Sequence, residues 1–123
     1  MFKKMGFFFI LAYLSQICFL TPSKATTNVG GIIKTDTTWS SQNSPYNLTS
    51  NIQIAYGVTL TIGPDVEVNG NNFKIVVYGN LKANGGGGDL QFIDTNIVPG
   101  ASSNSTEYFS IDIQYATING GSL

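Results

Sequence analysis

The chain has 123 residues, room for one small domain, and its 6 lysines stand against 7 acidic side chains with neither His nor Arg present, a net charge of −1. Those counts exclude imidazole chemistry and the clustered cations that nucleic-acid binding demands. Charged residues make up 11% of the chain against 42% apolar, with 14 glycines, a balance that suits a packed β protein better than a disordered segment.

In chain order, residues 1–25 read as a secretory signal peptide. Lys3 and Lys4 form a basic start, residues 7–20 are mostly apolar, and Pro22-Ser23-Lys24-Ala25 offers a helix breaker followed by small residues where a signal peptidase cuts. The apolar run is shorter than the roughly 20 residues of a spanning helix, so cleavage after Ala25 and export, either secreted or to the cell surface, are expected, with no transmembrane helix left behind. Cleavage removes Cys18, the only cysteine, and with it any disulfide, thiol nucleophile or thiolate metal site. Lys34, Lys74 and Lys82 then face all seven carboxylates, and the remaining chain is mildly acidic.

Residues 26–50 read as an N-terminal cap region. Residues 26–31 form a polar start, Ile32-Ile33 opens a short strand, Asp36-Thr37-Thr38-Trp39 follows, and residues 40–45 form a loop. Trp39, the only tryptophan, is expected to plug the open end of the apolar interior rather than to serve as a platform for sugars. From residue 51 onward the pattern is that of stacked coils, probed best at residues 57–68. Val58, Leu60 and Ile62 alternate with Thr59 and Thr61, Gly63-Pro64-Asp65 turns the chain, and Val66 and Val68 flank Glu67. A corner so short leaves no room for a crossover helix, and no helical periodicity follows the signal.

Short strands also read at residues 46–48 and 52–54, separated by a turn, and residues 73–78 are strongly apolar. Gly79-Asn80 turns, Leu81-Lys82-Ala83 alternates, residues 85–88 are four glycines, and Leu90-Gln91-Phe92-Ile93 is a further strand before an inserted polar loop at residues 95–107. These segments repeat with an offset a little over twenty residues. Ile52-Gln53-Ile54 matches Ile75-Val76-Val77, Val58-Thr59-Leu60 has its counterpart near Leu81-Lys82-Ala83, and Asp65-Val66-Glu67-Val68 matches Asp89-Leu90-Gln91-Phe92. A third copy runs from Ser110-Ile111-Asp112-Ile113 to Ala116-Thr117-Ile118. Short strands at this period, without helices, predict an all-β solenoid in which each repeat is one turn and residues 51–123 are its coils.

Gly57-Val58-Thr59-Leu60-Thr61-Ile62 with its Pro corner and Val66-Glu67-Val68 resembles the opening coils of secreted bacterial right-handed parallel β-helix proteins, the pectin-lyase-like class. Trp39-Ser40, Ser44-Pro45-Tyr46 and Tyr78-Gly79-Asn80-Leu81-Lys82-Ala83 fit the same pattern, so the resemblance covers residues 31–120. Asp65 departs from it, because a Gly often follows that Pro. The resemblance implies a short right-handed parallel β-helix with an N-terminal cap. It leaves the function wide, since the class spans adhesins, autotransporter-like passengers, polysaccharide lyases and glycoside hydrolases.

Lyases of this class resemble one another in using a basic residue, often Arg, with Ca²⁺ held on clustered Asp, and this chain has no Arg. A hydrolase needs two carboxylates across a cleft. Glu67 and Gln91 align on one outward face, with Asp112 expected above them, and Asp89, Asp94 and Asp112 are the remaining acidic candidates. Asp94-Thr95-Asn96 offers too few oxygens for Ca²⁺, and the glycine run lacks the Lys and helix of a phosphate loop. Asn69, Asn71, Asn72, Asn80 and Asn84 read as corner residues. Thr59 and Thr61 are one pair, not the threonine row of an ice-binding solenoid. Asn47-Leu48-Thr49 and Asn104-Ser105-Thr106 match the glycosylation sequon, which carries no meaning in a bacterial protein.

No catalytic residue, cofactor or metal is therefore assigned. Thr59, Thr61, Glu67 and Tyr78 are the expected surface-binding face, and Tyr46, Tyr56, Tyr78, Tyr108 and Tyr115 a candidate aromatic row. The expected role is an exported structural or adhesive module, a piece of a longer adhesin-like protein, whose partners are carbohydrate or cell-surface components. Self-association through an uncapped C-terminal coil is also expected. The alternative is the N-terminal part of a carbohydrate-active enzyme whose catalytic coils lie elsewhere.

Overall fold

A computed structural model describes residues 25–101 and 108–123. The expected signal peptide, except for Ala25, and the second sequon lie outside the described residues. Eleven strands and one short 3₁₀ turn, Ser41–Asn43, make up the described fold. In chain order the strands are β1 (Thr27–Ile33), β2 (Thr37–Trp39), β3 (Tyr46–Ile54), β4 (Thr59–Ile62), β5 (Glu67–Asn69) and β6 (Lys74–Val77). They continue as β7 (Asn80–Asn84), β8 (Leu90–Ile93), β9 (Asn96–Pro99), β10 (Ser110–Gln114) and β11 (Ala116–Asn119). Every pairing is parallel, and the chain winds through about four turns of a β-solenoid.

Three ladders run along the stack. The first is β2, β4, β7 and β10. The second takes the first half of β3 through β5 and β8 to β11, and the third takes the second half of β3 through β6 to β9. Because β3 runs unbroken through Thr49-Ser50-Asn51, the two segments expected on either side of a turn are one strand serving two ladders. β1 pairs along β3 in the same way, with a register shift between Val29 and Gly31. A polar start was expected there; the strand begins at Thr27 because backbone hydrogen bonding to β3 needs no apolar side chain.

The interior follows from alternation. Leu60, Ile62, Val68, Ile75, Val77, Leu81 and Phe92 are fully buried, and Val58, Val66, Leu90 and Ile97 nearly so. Each such aliphatic side chain contributes roughly 1.5–3 kcal/mol of burial. The register confirms the repeats Ile52↔Ile75 and Val68↔Phe92. It corrects the first-ladder match by two residues: Leu60 lies beside Leu81, Thr61 beside Lys82 and Ile62 beside Ala83. A shift of two keeps every side chain on its own face, so the inward pattern does not reveal it.

The expected polar loop at residues 95–107 is also corrected. Its first part is β9, whose Ile97 is buried beside Ile75, and the insertion starts only after Pro99. Trp39 is 4% exposed and stacks on Tyr46 with ring centroids 4.7 Å apart and planes 12° from parallel. The Tyr46 hydroxyl accepts the Ser40 N–H at 2.9 Å and donates to the Ser40 carbonyl at 3.1 Å, fixing this aromatic pair in the first turns. Both rings are core, not platform.

Candidate functional site

Outward-pointing residues on the three ladders form three distinct surfaces. On the first ladder, Thr38, Thr61, Lys82 and Asp112 follow one another from turn to turn, beside a second file of Thr59, Asn80 and Ser110. Ser110 Oγ donates to Asn80 Oδ1 at 2.8 Å within that file. On the second ladder Glu67, Gln91 and Thr117 are in register. Asp112 does not sit above them, as expected from the sequence, because the corner at Tyr115 separates β10 from β11 and puts Thr117 there instead.

The four residues expected to share a face are thus divided. Thr59 and Thr61 lie together on β4, Glu67 lies on β5 around the Gly63-Pro64-Asp65 corner, and Tyr78 occupies the corner after β6. Asp89, Asp94 and Asp112 likewise stand at three separate places: before β8, after β8 and within β10.

Among the described residues, acidic side chains converge where Ser44, Asp65, Glu67, Asp89 and Gln91 line a notch of about 180 Å³. Each carboxylate there has a structural partner. Asp65 Oδ1 accepts the Asp89 N–H at 3.0 Å, Glu67 Oε1 accepts Asn69 Nδ2 at 3.0 Å, and Asp89 Oδ2 accepts Gln91 Nε2. The same device recurs along the stack: Asp36 Oδ1 takes the Thr59 N–H, Ser44 Oγ the Glu67 N–H and Asn51 Oδ1 the Lys74 N–H, each at 2.9 Å. A polar side chain of one turn closes the backbone donor that opens a strand of the next, which is how these turns satisfy main-chain groups that the ladders leave over. Among the described residues, no group of three or more His, Cys, Asp or Glu is placed to hold a metal ion, and no helix is long and apolar enough to cross a membrane.

The third ladder differs. Its outward file reads Ile32, Gln53, Val76, Val98, three of them aliphatic. Ile32 is 56% exposed, which is uncommon for so large an aliphatic side chain. At the adjoining corner Tyr56 and Tyr78 form a tilted pair, centroids 5.2 Å apart and planes at 57°, and with Ile32, Gln53 and Ala55 they line a shallow notch of about 260 Å³. Tyr78 is held from behind by Gly100, where an added Cβ would lie 2.3 Å from the ring.

Of the expected aromatic row, Tyr46 is buried, Tyr56 and Tyr78 are brought together, and Tyr108 and Tyr115 stand exposed on the insertion and the last turn. The alternation of Lys74-Ile75-Val76-Val77 carried a signal for this apolar face: an aliphatic residue at an outward position, where the other ladders have polar ones. No protein-family model, no curated protein and no solved structure matches the chain.

Proposed function

We propose that this chain is an exported, non-catalytic β-solenoid module with a structural or adhesive role outside the cell, whose partner is a carbohydrate of the cell surface or its surroundings. The observation that carries the reading is the Tyr56–Tyr78 notch on the third ladder, where two phenol rings, an aliphatic wall and the Gln53 amide meet in the open. Sugar rings have apolar C–H faces and hydroxyl edges, so tilted aromatic plates beside an amide complement both parts of them. Tyr56, which is 46% exposed, leaves nearly half of its surface open for this.

Immobilised polysaccharides of neutral and acidic type test the reading. The chain is expected to be retained on at least one, and Tyr56→Ala to weaken retention by about tenfold while leaving the melting temperature unchanged, the size of one lost stacking contact. Equal retention of the variant removes the notch from the account.

The acidic notch favours a second reading, in which Asp65, Glu67 and Asp89 belong to a carbohydrate-active enzyme completed by further coils of a longer chain. Reducing ends or unsaturated sugars released from an acidic polysaccharide by this chain would replace the adhesive reading with that one.

A further inference from the structure

Three Asn-Gly pairs occur in the chain: Asn69-Gly70, Asn84-Gly85 and Asn119-Gly120. Such pairs are open to a reaction that needs no enzyme. The main-chain nitrogen of the glycine attacks Cγ of the asparagine, the bond from Cγ to the amide nitrogen breaks, and that nitrogen leaves as ammonia, taking up the proton from the glycine N–H. The five-membered succinimide so formed is opened by water at either carbonyl, giving aspartate or isoaspartate. Two conditions govern the rate: the glycine N–H must be free of a hydrogen-bond acceptor, and the backbone must be able to swing its nitrogen toward Cγ.

The fold denies both conditions to two of the pairs. Gly70 N–H donates to the Ile93 carbonyl at 2.8 Å, and Gly70 is buried so closely that an added Cβ would lie 2.4 Å from the Asp94 carbonyl. The Asn69 amide is itself tied to Glu67 Oε1 at 3.0 Å. Gly85 N–H donates to the Gln114 carbonyl at 3.0 Å, and Asn84 Oδ1 accepts the Gly86 N–H at 2.8 Å. The third pair is different. Asn119 and Gly120 are both exposed, and among the described residues neither the Gly120 N–H nor the Asn119 side-chain amide has a hydrogen-bond partner. Gly120 follows at φ of +71° and meets the end of the Asp94 side chain rather than packed main chain, while Gly121, at +68°, lies against the Thr95 main chain.

We propose that Asn119 is a site of spontaneous modification, the one of the three Asn-Gly pairs that the folded chain leaves open to succinimide formation, and that its conversion loosens the last turn. The Asn119 carbonyl accepts the Asp94 N–H at 2.8 Å, and the Asp94 carboxylate lies against Gly120, so a new carboxylate at position 119 arises beside an existing one. Isoaspartate also inserts a methylene into the main chain just before the segment whose Ser122 carbonyl accepts the Ile97 N–H at 2.8 Å. Both products work against the hydrogen bonds that close this turn on the one before.

Peptide mapping by mass spectrometry after incubation at mildly alkaline pH, in buffer and in strong denaturant, tests the proposal. In buffer the amide-to-acid mass gain is expected at Asn119 at least about tenfold faster than at Asn69 or Asn84, the ratio that about 1.4 kcal/mol of local protection produces. In denaturant the three rates should converge, and Asn119→Gln should remove the fast site in buffer. Equal rates in the folded chain, or earlier conversion at Asn69 or Asn84, overturn the assignment. Hydrogen exchange at Ile97 should quicken in the converted protein, and an unchanged rate there overturns the loosening.

Discussion

Asp65 sits at the corner between β4 and β5 with φ of +57°, a conformation that costs most L-residues roughly 1–2 kcal/mol and that Asn and Asp tolerate best. Its carboxylate then reaches the Asp89 N–H of the next turn, so one side chain both makes the corner and stitches it to its neighbour. Where a glycine would supply only the first of these, Asp supplies both. Asp65→Ala should therefore lower stability by about 2 kcal/mol, combining strain with a lost charge-assisted hydrogen bond, while Asp65→Asn should stay within about 0.5 kcal/mol. Urea unfolding of the two variants checks this, and equal losses would mean that the corner conformation is not what Asp provides. Tyr115 presents the opposite case: φ is +53° on a side chain 75% exposed, with little packing to set against the strain. Tyr115→Asn is expected to raise stability by about 0.5–1 kcal/mol in the same assay.

At the scale of the strand, β9 tests the inward and outward assignment directly. Ile97 is 1% exposed and continues the interior file of Ile75, whereas Val98 continues the outer file of Val76. Ile97→Ala should cost about 2–5 kcal/mol and Val98→Thr less than about 1 kcal/mol, read from denaturant midpoints. This strand also shows what a sequence reveals of such a fold. Alternation made the interior legible in β4, β5, β7 and β8, because Leu60, Ile62, Val68, Leu81 and Phe92 each recur at every second position. β9 and the first part of β1, before Ile32-Ile33, were hidden, since each is held by backbone pairing to a neighbouring strand and carries few inward aliphatics of its own. The candidate site was only half legible. Tyr78 could be singled out, but its meeting with Tyr56 depends on how a corner turns, and Thr59, Thr61 and Glu67 lost their common face to another corner. Corner geometry rests on single residues such as Asp94 and Tyr115, which leave no periodic trace.

In the whole molecule each turn touches only its neighbours, and stability is therefore distributed along the stack instead of shared equally. The inner turns hold the side chains that are completely shielded, Leu60, Val68, Ile75, Leu81 and Phe92 among them. β1, β10 and β11 contain no buried residue, and Ile111, Ile113 and Ile118 are only half covered. A half-covered isoleucine gains about half of the roughly 1.5–3 kcal/mol that full burial brings, while ordering its backbone costs the same as anywhere else in the chain. Opening from the last turn inward should then need far less free energy than opening the centre. Hydrogen exchange is expected to run fastest at the amides of β10 and β11, next in β1, and slowest in β4, β7 and β8, with protection rising turn by turn. Uniform protection across all of these would instead show that the solenoid opens as one cooperative unit, its interior column coupling the turns more strongly than the burial gradient separates them.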